Sequence, residues 1–172
     1  MAQHGPKELQ EELAGIANSI IADGRGILAS DEPGWMIAQR FKSVGVIDES
    51  IERRRDYRHM LYKTKDLGKT LGGVIMENET FYQEDANGVR LIKALTDQGI
   101  KVGVKADKGW MLMPGTMGEM TTQGLDGLTK RCEEYKKNGA SFVKWRCPIK
   151  IQGIKFRPQG NGFKNMSIRP HI

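Results

Sequence analysis

The 172-residue sequence contains no apolar run of the roughly 20 residues needed to cross a bilayer. Its opening, Met1 to Gln10, is polar and lacks the hydrophobic stretch of a secretory signal. Cysteine is scarce. Cys132 and Cys147 stand alone, without ligand spacing, so neither a disulfide scaffold nor a zinc site is expected. The three histidines, His4, His59 and His171, are scattered and suggest no metal cluster. These absences point to a globular domain of a reducing, cytoplasmic compartment, with no membrane partner. The length suffices for one domain with a real core.

Acids are missing from one region in particular. Lys and Arg number 27 against 21 Asp and Glu, a formal net charge of +6. Residues 153–172 contain Lys155, Arg157, Lys164 and Arg169 and no acid, so the remainder is close to neutral. A basic patch can serve nucleic acid, but neither an aromatic platform nor a recognition helix accompanies this one. Nucleic acid is therefore not an expected partner. From Gln152 onward Gly, Pro, Asn, Arg and Lys dominate and no helical or strand period is readable. The expected organisation is a folded segment over 1–151 and a basic, disordered tail over 152–172.

Within the folded segment, short apolar runs alternate with helical patterns. Leu9, Leu13, Ile16, Ala17 and Ile20 fall on one helical face. The run Ile27 to Asp31 follows, then helical stretches around Ile37 to Val44 and Ser50 to Tyr62, the second crowded with arginine. Gly72 to Met76 forms another run, followed by a helix with Leu91, Ile92 and Leu95 inward and Gly99 as its C-cap. Val102 to Asp107 is a third run. A long Gly- and Met-rich loop leads to a helix marked by Leu125, Leu128, Cys132 and Tyr135, capped by Gly139. Ser141 to Arg146 is the fourth run. This alternation predicts an α/β fold with a parallel sheet covered by helices. Every run turns charged at its carboxyl end, which is where barrels of eight strands and eight helices carry their active sites. Four strands make half of such a barrel.

Lys105 with Asp107, and Lys144 with Arg146, sit two residues apart, so on a strand each pair shares a face. Cations on the face of a buried strand need anionic partners. A phosphate-rich ligand would supply them, and so would ion pairs with Asp31 and Glu32. Asp31 ends the first run and could meet Lys144 across a barrel interior, either as a proton-handling carboxylate or as the N-cap of the following helix. Arg40 and Arg54 lie on helices, where an arginine is usually a solvated charge.

Several stretches resemble class I fructose-bisphosphate aldolases, a family of glycolytic lyases. They include Gly26 to Glu32, Gly72 to Ile75, Glu79 to Gln83, Lys105 to Gly109, Thr121 to Leu128, Arg131 to Glu133 and Phe142 to Cys147. The similarity runs in order from about Leu9 to Ile151. It implies a TIM (β/α)8 barrel of which about the first four βα units are present. It further implies cleavage of a phosphorylated sugar, fructose 1,6-bisphosphate, through a Schiff base, without metal or organic cofactor, by a cytoplasmic homotetramer. On this resemblance Asp31 and Lys144 are catalytic, Lys105 and Arg146 are interior cations near the substrate, and Arg40 and Arg54 are linked to its phosphates. The lysine that forms the imine belongs to a later strand of the family fold.

Two features depart from the family pattern. After Glu32 the family has small hydroxyl and glycine residues, whereas here Pro33-Gly34-Trp35-Met36 brings an indole to a phosphate loop. The segment from Gln152 bears no likeness to the family. The expectation is thus a truncated aldolase fragment, inactive alone; the alternative is a non-catalytic isoform acting through full-length subunits or other partners. An aldolase cleavage assay separates the two. Four strands leave the first and fourth as open edges. The isolated chain is therefore expected to self-associate in sedimentation velocity, and a monodisperse monomer would contradict that expectation.

Overall fold

The computed structural model describes residues 6–150; the boundary at 151 and the expected tail over 152–172 lie outside them. The chain divides into two compact units. The first comprises the residues up to Lys105 together with Thr129–Lys144, and the second comprises Ala106–Leu128 and the segment from Trp145.

The first unit is built on a parallel sheet. Its strands are β1 (Gly26–Ser30), β2 (Leu71–Met76), β3 (Lys101–Lys105) and β6 (Phe142–Lys144), in the order β1-β2-β3-β6. All three pairings are parallel, and Lys105 of β3 stands opposite Lys144 of β6. These are the four runs read from the sequence. The central strands carry the core on one face, where Val74 and Met76 pair with Val102 and Val104 and all four are fully buried.

Helices supply the cover. α1 (Lys7–Ile20) shows the expected stripe, but only Ile20 is buried, while Leu9 and Leu13 remain exposed. α2 (Gly34–Ser43) buries Ile37 and Phe41. α3 (Ile51–Tyr62) starts at Ser50, whose hydroxyl accepts the Arg53 amide at 3.1 Å, a standard N-cap. Its inward residues are Arg58 and Tyr62. The Tyr62 phenol bonds the Ser30 hydroxyl at 3.0 Å, and burial pushes its pKa up to about 12, so it stays neutral throughout the physiological range. The short turns α4 (Asn78–Phe81) and α5 (Lys93–Thr96) follow. Leu91 and Leu95 point inward as expected, and Gly99 takes the left-handed φ of 73° that ends the segment. α6 (Leu128–Lys137) buries Tyr135 against Phe81 at 5.9 Å between ring centroids, and Gly139 beyond it has φ of 101°.

The second unit corrects the expected Gly- and Met-rich loop. It contains an antiparallel hairpin, β4 (Trp110–Leu112) paired with β5 (Met120–Thr122). Its strands are three residues long and lack alternation, so no period-2 signal was available to announce them. Among the described residues, no helix is long and apolar enough to cross a membrane.

Glycine is essential at two strand positions: a Cβ on Gly72 of β2 would lie 2.1 Å from the Ile20 carbonyl oxygen, and Gly103 of β3 is as tightly confined. A Cβ on Gly103 would lie 2.3 Å from the Phe142 ring, which occupies the space beside the bare backbone of β3. A Cβ on Gly15, within α1, would meet nothing within 4 Å. Overpacking predicts that Gly103→Ala lowers amide hydrogen-exchange protection across β3 and β6 by roughly tenfold or more. Gly15→Ala should leave those amides unchanged while raising protection in α1. Equal protection in wild type and Gly103→Ala would show that Phe142 is not seated there.

Candidate functional site

Four charged side chains gather at the carboxyl ends of the parallel strands. Asp31 follows β1, Glu77 follows β2, Lys105 ends β3 and Lys144 ends β6. The Lys144 ammonium donates to both oxygens of Asp31, at 3.0 and 2.8 Å. The Lys105 ammonium donates to the Asp31 backbone carbonyl at 3.0 Å and forms an ion pair with Glu77. Two neighbouring ammonium groups would repel one another, and each is matched instead by a carboxylate from another strand end. Asp31 is 7% exposed and the Lys144 side chain 29%, so the pair is largely sheltered yet open on the lysine side.

This contact also reports the shape of the sheet. β1 and β6 are separated by two strands, so their axes in a flat sheet would be about 14 Å apart, with side chains standing parallel. Asp31 and Lys144 meet at 2.8 Å because the face is concave and turns them inward. That is the curvature of a barrel arc.

Arg40 and Arg54 are placed in ion pairs of their own. Arg40, on α2, bonds Glu32 at 2.8 Å and is half exposed. Arg54, on α3, grips both oxygens of Glu79 at 3.1 and 2.7 Å and donates to the Glu49 carbonyl at 2.7 Å. The Glu79 carboxylate holds the Arg54 guanidinium above its ordinary pKa. Arg54 and Glu79 line a cleft of about 370 Å³ with Pro33, Trp35 and Glu49. Trp35 stands 63% exposed at its edge, and Gly34 leaves room for the Arg54 guanidinium.

In the second unit Arg146 donates through Nε to Asp107 at 2.8 Å, and a further contact joins its Nη2 to the same carboxylate. The guanidinium also lies 4.4 Å from the centroid of Trp110, a cation–π stack. Thr122 holds the Arg146 carbonyl from β5. Arg146 is thus fixed on three sides.

The sequence reading needs three corrections. β3 ends at Lys105 and β6 at Lys144, so Asp107 and Arg146 lie beyond the strands and the shared-face argument does not apply to them. Asp31 does not cap α2; the capping position is Pro33, and the Asp31 carboxylate is committed to Lys144. Glu32 pairs with Arg40 rather than with either lysine. The sequence reading also passed over Glu77, the counter-ion of Lys105, and Arg58. Arg58 is 1% exposed and braces Thr80 and the Glu32 carbonyl, directly behind Asp31 in the chain. Its one advance signal was its place on the inward side of α3, where a charge requires partners. Among the described residues, no group of three or more His, Cys, Asp or Glu is arranged to hold a metal ion.

The family description "Fructose-bisphosphate aldolase class-I" matches residues 12–162, so the likeness reaches past Gln152, where the sequence reading had it end. Fructose-bisphosphate aldolase C of Pan troglodytes is 51% identical over 145 residues, which cover 84% of this chain and 40% of that protein. Fructose-bisphosphate aldolase 2 of Plasmodium berghei is 44% identical over 162 residues, covering 94% of this chain and 44% of its own length. A co-crystal structure of the Plasmodium falciparum aldolase, solved with TRAP and a small-molecule inhibitor, superposes with a TM-score of 0.79. It shares 44% identity and covers 82% of this chain and 40% of that one. The chain therefore spans about 40% of the length of the relatives it matches. Its half-barrel of parallel strands is the TIM-barrel architecture of these enzymes, and the chain belongs to the class I fructose-bisphosphate aldolase family.

Proposed function

We propose that these residues form the first βα units of a cytoplasmic, glycolytic lyase. The whole protein would cleave fructose 1,6-bisphosphate reversibly to dihydroxyacetone phosphate and glyceraldehyde 3-phosphate. The observation that carries this reading is the Asp31 carboxylate held by Lys144 at 2.8 Å, beside Lys105, at the carboxyl ends of parallel strands. In the family mechanism a lysine on a later strand condenses with the ketose carbonyl, and the protonated imine draws electrons as the carbon–carbon bond breaks. A carboxylate held at 2.8 Å by an ammonium group at the strand ends is placed to shuttle the protons of that condensation, which gives Asp31 its role. Lys144 supports the same step by fixing Asp31 and by presenting a cation to the substrate oxygens.

Lys105 and Arg146 supply further positive charge for a sugar phosphate, and Arg40 and Arg54 are the phosphate-linked arginines. Arg40 and Arg54 must exchange a carboxylate for phosphate to act, Glu32 in one case and Glu79 in the other. Such an exchange would make phosphate binding and the Trp35 cleft interdependent. The resemblance also suggests a homotetramer, acting on small sugar phosphates without metal, cofactor, nucleic acid or membrane.

The 172 residues tested alone should leave fructose 1,6-bisphosphate uncleaved. Borohydride with dihydroxyacetone phosphate should trap no adduct on them. The same residues continued by the remaining strands of a family barrel should be labelled, and Asp31→Asn in that longer protein should lower turnover by roughly a hundredfold or more. Substrate-dependent trapping at Lys144 in the 172-residue chain would overturn the assignment of Lys144 as a supporting group. An unchanged rate in the Asp31→Asn protein would remove Asp31 from the mechanism.

A further inference from the structure

The amino ends of the strands carry a second charged feature, at the opposite end of the sheet from Asp31 and Lys144. A cleft of about 590 Å³ opens there, in the range of small-molecule sites. Arg25, which precedes β1, lines it with Lys63 and Lys65 from the segment after α3 and Lys69 just ahead of β2. The one acid in the lining is Asp66, paired with Lys69 at 3.2 Å. The lining therefore has an excess of three positive charges. Among the described residues, Arg25, Lys63 and Lys65 have no carboxylate within ion-pair distance. The Asp85 carboxylate interacts with Lys63 through space, but it bonds the Asn87 and Val89 amides and faces His59 at 3.9 Å.

The backbone that presents these cations is firmly held. Gln98 accepts the Leu67 amide at 3.0 Å and donates to the carbonyls of Tyr62 and Ala94 at 3.0 and 2.9 Å. Gly68 presses so closely on the Gln98 carbonyl that a Cβ there would lie 2.1 Å from it. Asp66 takes the left-handed φ of 63° that turns the chain between Lys65 and Lys69. Like charges fixed around a concavity raise the local potential and favour a multivalent anion, and a held backbone reduces the ordering cost of binding one.

We propose that this cleft binds a small polyphosphate anion, at a site separate from the one that takes the sugar phosphate. Three uncompensated cations match a chain of phosphates better than a single phosphate. The concave lining suits a compact ligand more than the extended face of a nucleic acid or a membrane.

The test uses the purified 172-residue chain, sodium tripolyphosphate as probe, and amine acetylation read by mass spectrometry at constant ionic strength. Tripolyphosphate should slow acetylation of Lys63, Lys65 and Lys69 while leaving Lys105 and Lys144 unaffected. Orthophosphate should protect the same lysines only at much higher concentration. Isothermal titration should show affinity falling about tenfold in a Lys63→Gln, Lys65→Gln double variant, since each phosphate contact contributes a factor of a few. These lysines are exposed, so their replacement leaves the core intact; unchanged protection at Lys105 and Lys144 checks that. No protection at the three lysines, or equal affinity in the double variant, would overturn the proposal. Protection by RNA or by anionic vesicles without protection by tripolyphosphate would also overturn it, by assigning the lysines to a macromolecular surface.

Discussion

A single residue, Asp31, ties three strand ends together. Its carboxylate takes the Lys144 ammonium and its backbone carbonyl takes that of Lys105, so β1 is joined to β3 and β6, neither of which it pairs with in the sheet. A carboxylate left buried without a partner is strongly destabilising, on the order of 3–5 kcal/mol, which makes this contact obligatory once Asp31 is inside. The concavity of the strand ends lets this contact form, and the β3–β6 pairing that sets Lys105 opposite Lys144 fixes the spacing of the two lysines around it. The buried Arg58 secures the same corner from behind by bonding the Glu32 carbonyl.

Pairing of every candidate site cation with its own carboxylate is the second organising feature. Lys144 has Asp31, Lys105 has Glu77, Arg40 has Glu32, Arg54 has Glu79 and Arg146 has Asp107. A face made only of cations would repel itself in the absence of ligand, and interleaved acids remove that repulsion. The consequence for binding is that an incoming phosphate competes with a carboxylate already in place, so affinity is a difference between two similar interactions. The basic cleft at the amino ends is the opposite case, because there the carboxylates are largely missing.

Much of this was legible in the sequence. The four strands and the helices around them show as apolar runs and stripes because both faces of a parallel sheet are buried. The meeting of Asp31 and Lys144 followed from placing both at strand ends in a curved sheet. What escaped the sequence depends on short range or on partner choice. Three-residue strands such as Trp110–Leu112 carry too little period to be recognised. Two residues of strand length decide whether Asp107 and Arg146 share a face with Lys105 and Lys144, and strand ends are the least readable boundaries. Glu77 looks like any acid after a strand, and its importance appears only when Lys105 is beside it. Leu9 and Leu13 show the converse, a stripe correctly seen whose cover is absent among the described residues.

The central claim is that the Asp31–Lys144 ion pair holds the first and fourth strands in one concave face. A double-mutant cycle tests it most directly, using Asp31→Asn, Lys144→Met and the combination, read as amide hydrogen-exchange protection in Gly26–Ser30 and Phe142–Lys144. The account predicts that the two single changes are strongly non-additive, with a coupling of about 1–3 kcal/mol in both strands. Additivity within about 0.5 kcal/mol would mean that the two residues do not depend on each other, and the account would be wrong.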